Sequence, residues 1–312
     1  MKISNNDDGD PFWSLAMNDD RLSVALPQKD DDDYQTQQSN LRTITTQPPT
    51  PDLSPPLVLR LAQNCEAGCF SDVAGDIWDA SLLLSTFLYG TNLGRRLCHE
   101  ACFDGIEDSS RADIDKDGGI LELGSGLGLS GMAAAAATAA TTGAPDELHL
   151  TREVELKGRI VMTDLNDKSI LALLRKNVTS NLSELGSRCS ITVEPCDWTH
   201  VAKLKENASS CPRGTFNLII GSALVYIPNH AAACADTIAH YLCHKPSSQA
   251  VIVQLPDRAG FDSFLCRCHE LDLSVTSQVV DKEVILKVEE SIGRKLVAAS
   301  DYRIYFITWK IA

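Results

Sequence analysis

The chain has 312 residues, 44% hydrophobic and 22% charged, a globular composition long enough to bury a core without disulfide or metal staples. Its formal net charge of −14 repels phosphate backbones, which argues against a nucleic-acid partner; it either favours a protein partner with a basic surface or serves solubility alone. Eleven scattered cysteines read as reduced thiols, the first residues lack the apolar core of a signal peptide, and the longest apolar run is too short to span a bilayer. A cytoplasmic protein is therefore expected, with nuclear entry left open.

Residues 1–54 combine the acidic run Asp30 to Asp33, a Gln/Ser/Thr-rich stretch and the proline-rich TQPPTPDLSPP. So few apolar residues cannot offset the entropy of ordering, and the segment reads as a disordered tail. Residues 55–312 form the expected domain. Leu57 to Leu61 reads as an edge strand, and Trp78 to Tyr89 has helical apolar spacing with Asp76 placed to cap it. The pairs Cys65/Cys69 and Cys98/Cys102 have C-x3-C spacing but sit in no evident zinc knuckle, so no metal site is expected. A polar loop runs from Asp104 to Gly119.

Buried strands and helices then alternate. Strands are expected at Ile120 to Leu123, Arg159 to Leu165, Cys189 to Pro195, Phe216 to Ser222 and Ala250 to Leu255. Helices are expected at Leu127 to Ala140, Asp167 to Asn181, His230 to Cys243 and Phe261 to Leu271. Ser274 to Val280 and the aromatic-rich Tyr302 to Trp309 alternate as strands, the second as an antiparallel partner. This order predicts an α/β protein with a doubly wound, mostly parallel sheet, whose ligand binds at the carboxyl ends of the strands near the switch point.

The stretch Ile120 to Gly131, ILELGSGLGLSG, is the most informative. Gly124, Gly126 and Gly128 leave a strand and enter a helix, where glycine permits positive φ and close approach of a ligand to the backbone. Three readings compete. Gly126, Gly128 and Gly131 fit the dinucleotide pattern G-x-G-x-x-G. However, the acidic residue expected roughly 20 residues on is here Asp164, 33 residues past Gly131, a gap that an insertion at Thr141 to Glu155 would explain. The glycines can also be a tight turn only. The third reading, hh(D/E)hGxGxG, is an S-adenosylmethionine loop, and it also uses Glu122. A carboxylate there would repel a pyrophosphate but attract an ammonium or sulfonium. Asp164 can accept both ribose hydroxyls, or it can cap the following helix.

The order of motifs resembles methyltransferase family 16, the seven-strand protein-lysine methyltransferase group. The resemblance rests on Trp78-Asp79-Ala80, on Glu122 to Gly131, on Thr163-Asp164-Leu165, on the Asn-rich turn Asn177 to Asn181 and on Asp197-Trp198, and it covers roughly Ile77 to Trp309. It implies a Rossmann-like class I sheet of seven strands with an antiparallel C-terminal strand, and S-adenosyl-L-methionine as cofactor. It places Trp78 near the methionine end, Gly124, Ser125, Gly126 and Gly128 along the cofactor, Asp164 at the ribose, and Asp197 and Trp198 at the adenine. Ser222 would meet the cofactor through its backbone, and Tyr226 would position the acceptor. The family commonly has Asp-x-x-Tyr after the fourth strand, the aspartate facing the substrate amine. This chain has Ala223 in the aspartate's place and keeps Tyr226. The implied activity is methylation of a protein side chain, with lysine the leading acceptor. Alternatives are a small molecule or another side chain as acceptor, or a non-catalytic cofactor-binding module.

Overall fold

The computed structural model describes residues 40–49, 55–63, 76–103, 118–140, 158–198 and 213–310. The acidic run, the Cys65/Cys69 pair and the insertion Thr141 to Glu155 lie outside the described residues. Strands β1 (Asn40–Thr46) and β2 (Leu57–Gln63) pair as an antiparallel hairpin. Helices α1 (Asp79–Gly90) and α2 (Asn92–Phe103) follow. Next come β3 (Ile120–Leu123), α3 (Leu129–Ala140), β4 (Gly158–Asp164), α4 (Lys168–Ser180), the single turn α5 (Leu182–Leu185) and β5 (Cys189–Pro195). The remainder is β6 (Leu218–Ser222), a 3₁₀ turn at Pro228–His230, α6 (Ala231–Tyr241), β7 (Gln249–Gln254), α7 (Phe261–Glu270), β8 (Leu273–Val279), α8 (Lys282–Ile292) and β9 (Arg303–Trp309).

Seven strands form one sheet in the order β5-β4-β3-β6-β7-β9-β8. The pairs from β5 to β7 are all parallel, and β9 runs antiparallel to both its neighbours. The side-chain period of two assigns the faces. Ile120, Ile160, Met162, Leu218, Ile220, Val251 and Val253 pack with α1, α2, α3 and α8. Leu121, Leu123, Val161, Ile219, Ala250 and Ile252 pack with α6 and α7 on the other side. A sheet covered on both faces explains why its central strands are continuous apolar runs. The expected doubly wound, mostly parallel architecture with an antiparallel C-terminal strand is the one observed.

Several local expectations are corrected. Residues 40–46, counted with the tail on composition, form β1. Only Ile44 and Thr46 of its described side chains are buried, so the ladder to β2 rather than an apolar face defines it. Asp76 does not cap α1. Trp78 occupies the N-cap position with extended backbone and no side-chain cap, while Asp76 accepts a 3.4 Å bond from Gln63. For α4 the cap is Asp167, whose carboxylate accepts from the amides of Ser169 and Ile170 at 2.7 and 3.1 Å. Asp164 is therefore free of the capping role that the sequence allowed it. No helix among the described residues is long and apolar enough to cross a membrane.

Candidate functional site

Because β3, β4, β5 and β6 are parallel, the residues at their carboxyl ends share one edge of the sheet. That edge carries Gly124, Asp164, Asp197 and Ser222, and the chain reverses direction across the sheet between β3 and β6. This is the switch point at which ligands of such sheets bind.

The glycine loop is built from the strand outward. Gly124, Gly126 and Gly128 have φ of 60°, 51° and 87°, left-handed values that a side chain would make costly. Gly131 lies inside α3 and has a different task. A Cβ there would come within 2.5 Å of Glu122 Oε2 and 2.9 Å of Met162, so this glycine makes room for the strand's side chains. Thr163 and Asp164 lash the loop to β4. The Thr163 hydroxyl donates to the Glu122 carbonyl at 2.6 Å, the Ser125 amide donates to the Thr163 carbonyl at 2.8 Å, and the Gly126 amide donates to Asp164 Oδ2 at 2.7 Å. Asp164 Oδ1 accepts from its neighbour Leu165 at 2.8 Å. Each carboxylate oxygen keeps a further lone-pair site that a hydroxyl can use. Burial pushes the Asp164 pKa upward, and the two amides partly oppose the rise.

Glu122 is 3% exposed and lies on the α3 face of β3, as the strand period requires. Burial pushes its pKa up to about 8; the Ser125 hydroxyl and the Gly131 amide ease the rise, and the charge of Asp164 adds to it. Neither easing group aligns into a full hydrogen bond with Oε2, which is buried without a partner, as is Ser125 Oγ. Two orphaned polar atoms at the base of one loop are costly unless something completes them. A ligand that brings a cation and hydroxyls to this loop has the complementary chemistry, so the residues present fit S-adenosylmethionine.

Of the other expected residues, Trp198 packs against this loop and Tyr226 lies within the field of Asp164. Trp198 is 8% exposed and belongs to the core on the α6 side; a Cβ on Gly124 would touch its ring and Leu224 at 3.1 Å. Asp197 is half-buried beside it, and its charge acts on His230, whose pKa burial lowers and Asp197 raises. Ser222 ends β6, half-buried. Tyr226 is half-buried, and burial followed by the charge of Asp164 pushes its hydroxyl up to about 12, keeping it protonated. Trp78 is half-buried at the head of α1, its carbonyl accepting from the Ser81 and Leu82 amides at 3.0 and 3.2 Å.

Two features of the turn after β6 come from the fold. Ala223 takes φ of 50°, a left-handed conformation unusual for alanine, and its amide donates to the Val253 carbonyl at 2.9 Å. Gln254, 1% exposed at the end of β7, clamps the same turn. Its Nε2 donates to the Val225 carbonyl at 2.9 Å and its Oε1 accepts from the Val225 amide at 3.3 Å. The turn that carries Tyr226 is thus held to β7 at two points. A glutamine interrupting an apolar strand was the available signal for it.

A family model described as lysine methyltransferase matches residues 58–270. No curated protein matches the sequence. Among solved structures, the chain is similar to an arsenic(III) S-adenosylmethionine methyltransferase from Chlamydomonas reinhardtii, with 13% identity, TM-score 0.37, and 69% of this chain and 74% of that one covered. It is also similar to the PH0226 protein of Pyrococcus horikoshii, with 12% identity, TM-score 0.38, and coverage of 71% and 100%. A third similar structure is an S-adenosylmethionine-dependent methyltransferase from Mesorhizobium loti, with 14% identity, TM-score 0.36, and coverage of 61% and 89%.

Proposed function

The chain belongs to the lysine methyltransferase family, whose methyl donor is S-adenosylmethionine, and from that premise we propose that it methylates a protein side chain, lysine first. The observation that carries the cofactor half of this reading is the loop of Gly124, Gly126 and Gly128 hung on Asp164, with Glu122 Oε2 and Ser125 Oγ unpartnered at its base; the family match favours lysine as acceptor. In the proposed arrangement Asp164 receives the ribose hydroxyls, while Gly124, Ser125, Gly126 and Gly128 line the cofactor. Glu122, neutral in the empty site, gives up its proton to solvent to answer the cofactor's cationic end, and the backbone of Ser222 borders it. Asp197 and Trp198 flank the adenine, and Trp78 stands toward the methionine end. The cofactor supplies an electrophilic methyl group. The chain's own residues orient the acceptor and exclude water.

A lysine must lose its proton before it attacks, and desolvation in the slot favours the neutral amine. The Tyr226 hydroxyl, protonated across the working pH range, positions that nitrogen by accepting from it. With Ala223 where the family commonly has aspartate, no carboxylate at that turn holds an ammonium. The substrate is thus proposed to enter as the neutral amine. The net charge of −14 favours a basic protein surface around the target residue.

Ala223 also supports a second reading, in which the acceptor is another side chain or a small molecule. Incubating the protein with radiolabelled S-adenosylmethionine and a cell extract separates the two. Label in a protein band, located on lysine by mass spectrometry, is the expected result. Label confined to small molecules, or to a different residue type, would replace the first reading with the second. Intact cofactor binding with no label in any fraction would indicate a non-catalytic module.

A further inference from the structure

We infer that Asn177 is a positioning residue that ties the β1–β2 hairpin to the glycine loop, so that cofactor affinity depends on a side chain that does not line the cofactor. The inference rests on the proposed assignment of that loop as the cofactor cradle.

The geometry is an asparagine ladder. Residues two apart on a strand are separated by about 6.7 Å, and residues four apart on a helix by about 6 Å. Asn177 and Asn181 therefore match Ala62 and Arg60. Asn181 Oδ1 accepts from the Arg60 amide at 2.8 Å, and its Nδ2 donates to the Arg60 carbonyl at 2.8 Å. Asn177 Oδ1 accepts from the Ala62 amide at 2.8 Å, and its Nδ2 donates to the Ala62 carbonyl at 3.2 Å. Two side-chain amides thus stand in for a neighbouring strand along the edge of β2 that β1 does not cover.

The two asparagines then diverge. The second Nδ2 hydrogen of Asn181 goes to the Asn177 carbonyl within the helix at 2.8 Å. That of Asn177 goes to the carbonyl of Leu127 at 3.1 Å. Leu127 sits between Gly126 and Gly128, two of the three glycines whose conformations shape the cradle. Asn177 is 1% exposed, and its one acceptor and two donors are all used. A shift of the hairpin consequently moves the amide that holds Leu127, and the loop with it.

The matched pair Asn177→Leu and Asn181→Leu tests this. Both remove a near-isosteric amide from the hairpin, but only the first releases the loop. Calorimetric titration with S-adenosylhomocysteine, alongside melting temperature, reads the difference. Asn177→Leu is expected to weaken affinity about tenfold, and Asn181→Leu less than about threefold, the size of one released buried hydrogen bond. Should Asn177→Leu fail to fold, Asn177→Asp serves. Its affinity should be poor at pH 8.5 and partly recover at pH 5.5, where the introduced carboxyl is protonated and its one O–H can donate to the Leu127 carbonyl, with no such recovery for Asn181→Asp. Equal affinity losses in the matched pair, or none, would overturn the inference while leaving the cofactor assignment standing. Absence of binding by the unmodified protein would overturn both.

Discussion

Replacing Glu122 by glutamine should change how stability depends on pH, in a direction the structure dictates. The carboxyl is fully buried, its Oε2 has no partner, and burial lifts its pKa from 4.5 to about 8. Between those values the unfolded chain carries the negative charge while the native state keeps the proton, so stability falls as pH rises through this window. At about 1.4 kcal/mol per unit, the displacement corresponds to a loss on the order of 3–5 kcal/mol by pH 8.5. Glu122→Gln has no proton to lose, and its amide faces Ser125 Oγ, which has no other partner. Thermal unfolding of the cofactor-free protein from pH 5 to pH 8.5 measures the effect. The two proteins should melt within about 2 °C of each other at pH 5, and the variant should melt about 10 °C higher at pH 8.5, using roughly 2–4 °C per kcal/mol for a domain of this size. Asp164, whose pKa is also raised, contributes to both curves and cancels in their difference. Parallel curves would refute the account of Glu122 as a buried acid held neutral by the fold.

Other outcomes follow from neighbouring geometry. Asp164→Ala should weaken binding of S-adenosylhomocysteine by at least about 1 kcal/mol, read by calorimetry, since it removes charge-assisted acceptors; unchanged affinity in folded protein would remove the ribose role. Gly131→Ala puts a methyl 2.5 Å from Glu122 Oε2 and 2.9 Å from Met162, and should lower stability by about 1–3 kcal/mol in denaturant unfolding. Gln254→Ala leaves the Val225 amide and carbonyl buried without their clamp. A loss of about 1–3 kcal/mol is expected, with methyl transfer falling more than cofactor affinity. Ala223→Gly relieves the left-handed strain at φ of 50° and should raise the melting temperature, the relief of about 1–2 kcal/mol exceeding the added chain entropy of about 0.5–1 kcal/mol.

The sheet was legible because its strands advertise themselves. Runs such as Leu218 to Ile220 and Ala250 to Val253 are apolar throughout because both faces are covered, and β5 was bounded to the residue by its flanking turns. The glycine loop was legible as well, because positive φ at Gly124, Gly126 and Gly128 leaves no other residue type as cheap. What escaped depends on partners distant in sequence. β1 is a polar, threonine-rich segment whose order comes from β2, which in turn is held by Asn177 and Asn181 across more than a hundred residues. The sequence marks those asparagines only as a turn, although their four-residue spacing on the buried side of a helix is a usable signal. Local sequence points to Asp76 as the cap of α1 because it cannot tell that the carboxylate turns toward Gln63. Helix α8, Lys282–Ile292, has amphipathic spacing but lies outside the expected strand–helix alternation. Its Val284 and Val288 are buried in the core that α1 shares.

The position of β9 has a consequence for assembly during synthesis. Although it is the last of the nine described strands to leave the ribosome, it is inserted between two earlier ones, β7 and β8. Until it arrives β7 keeps a bare backbone edge and β8 has no ladder at all, so the growing chain passes through a stage that invites pairing with a stranger. Completion is therefore all or nothing at this margin: one late segment, aromatic and β-branched from Tyr305 to Trp309, closes two gaps at once.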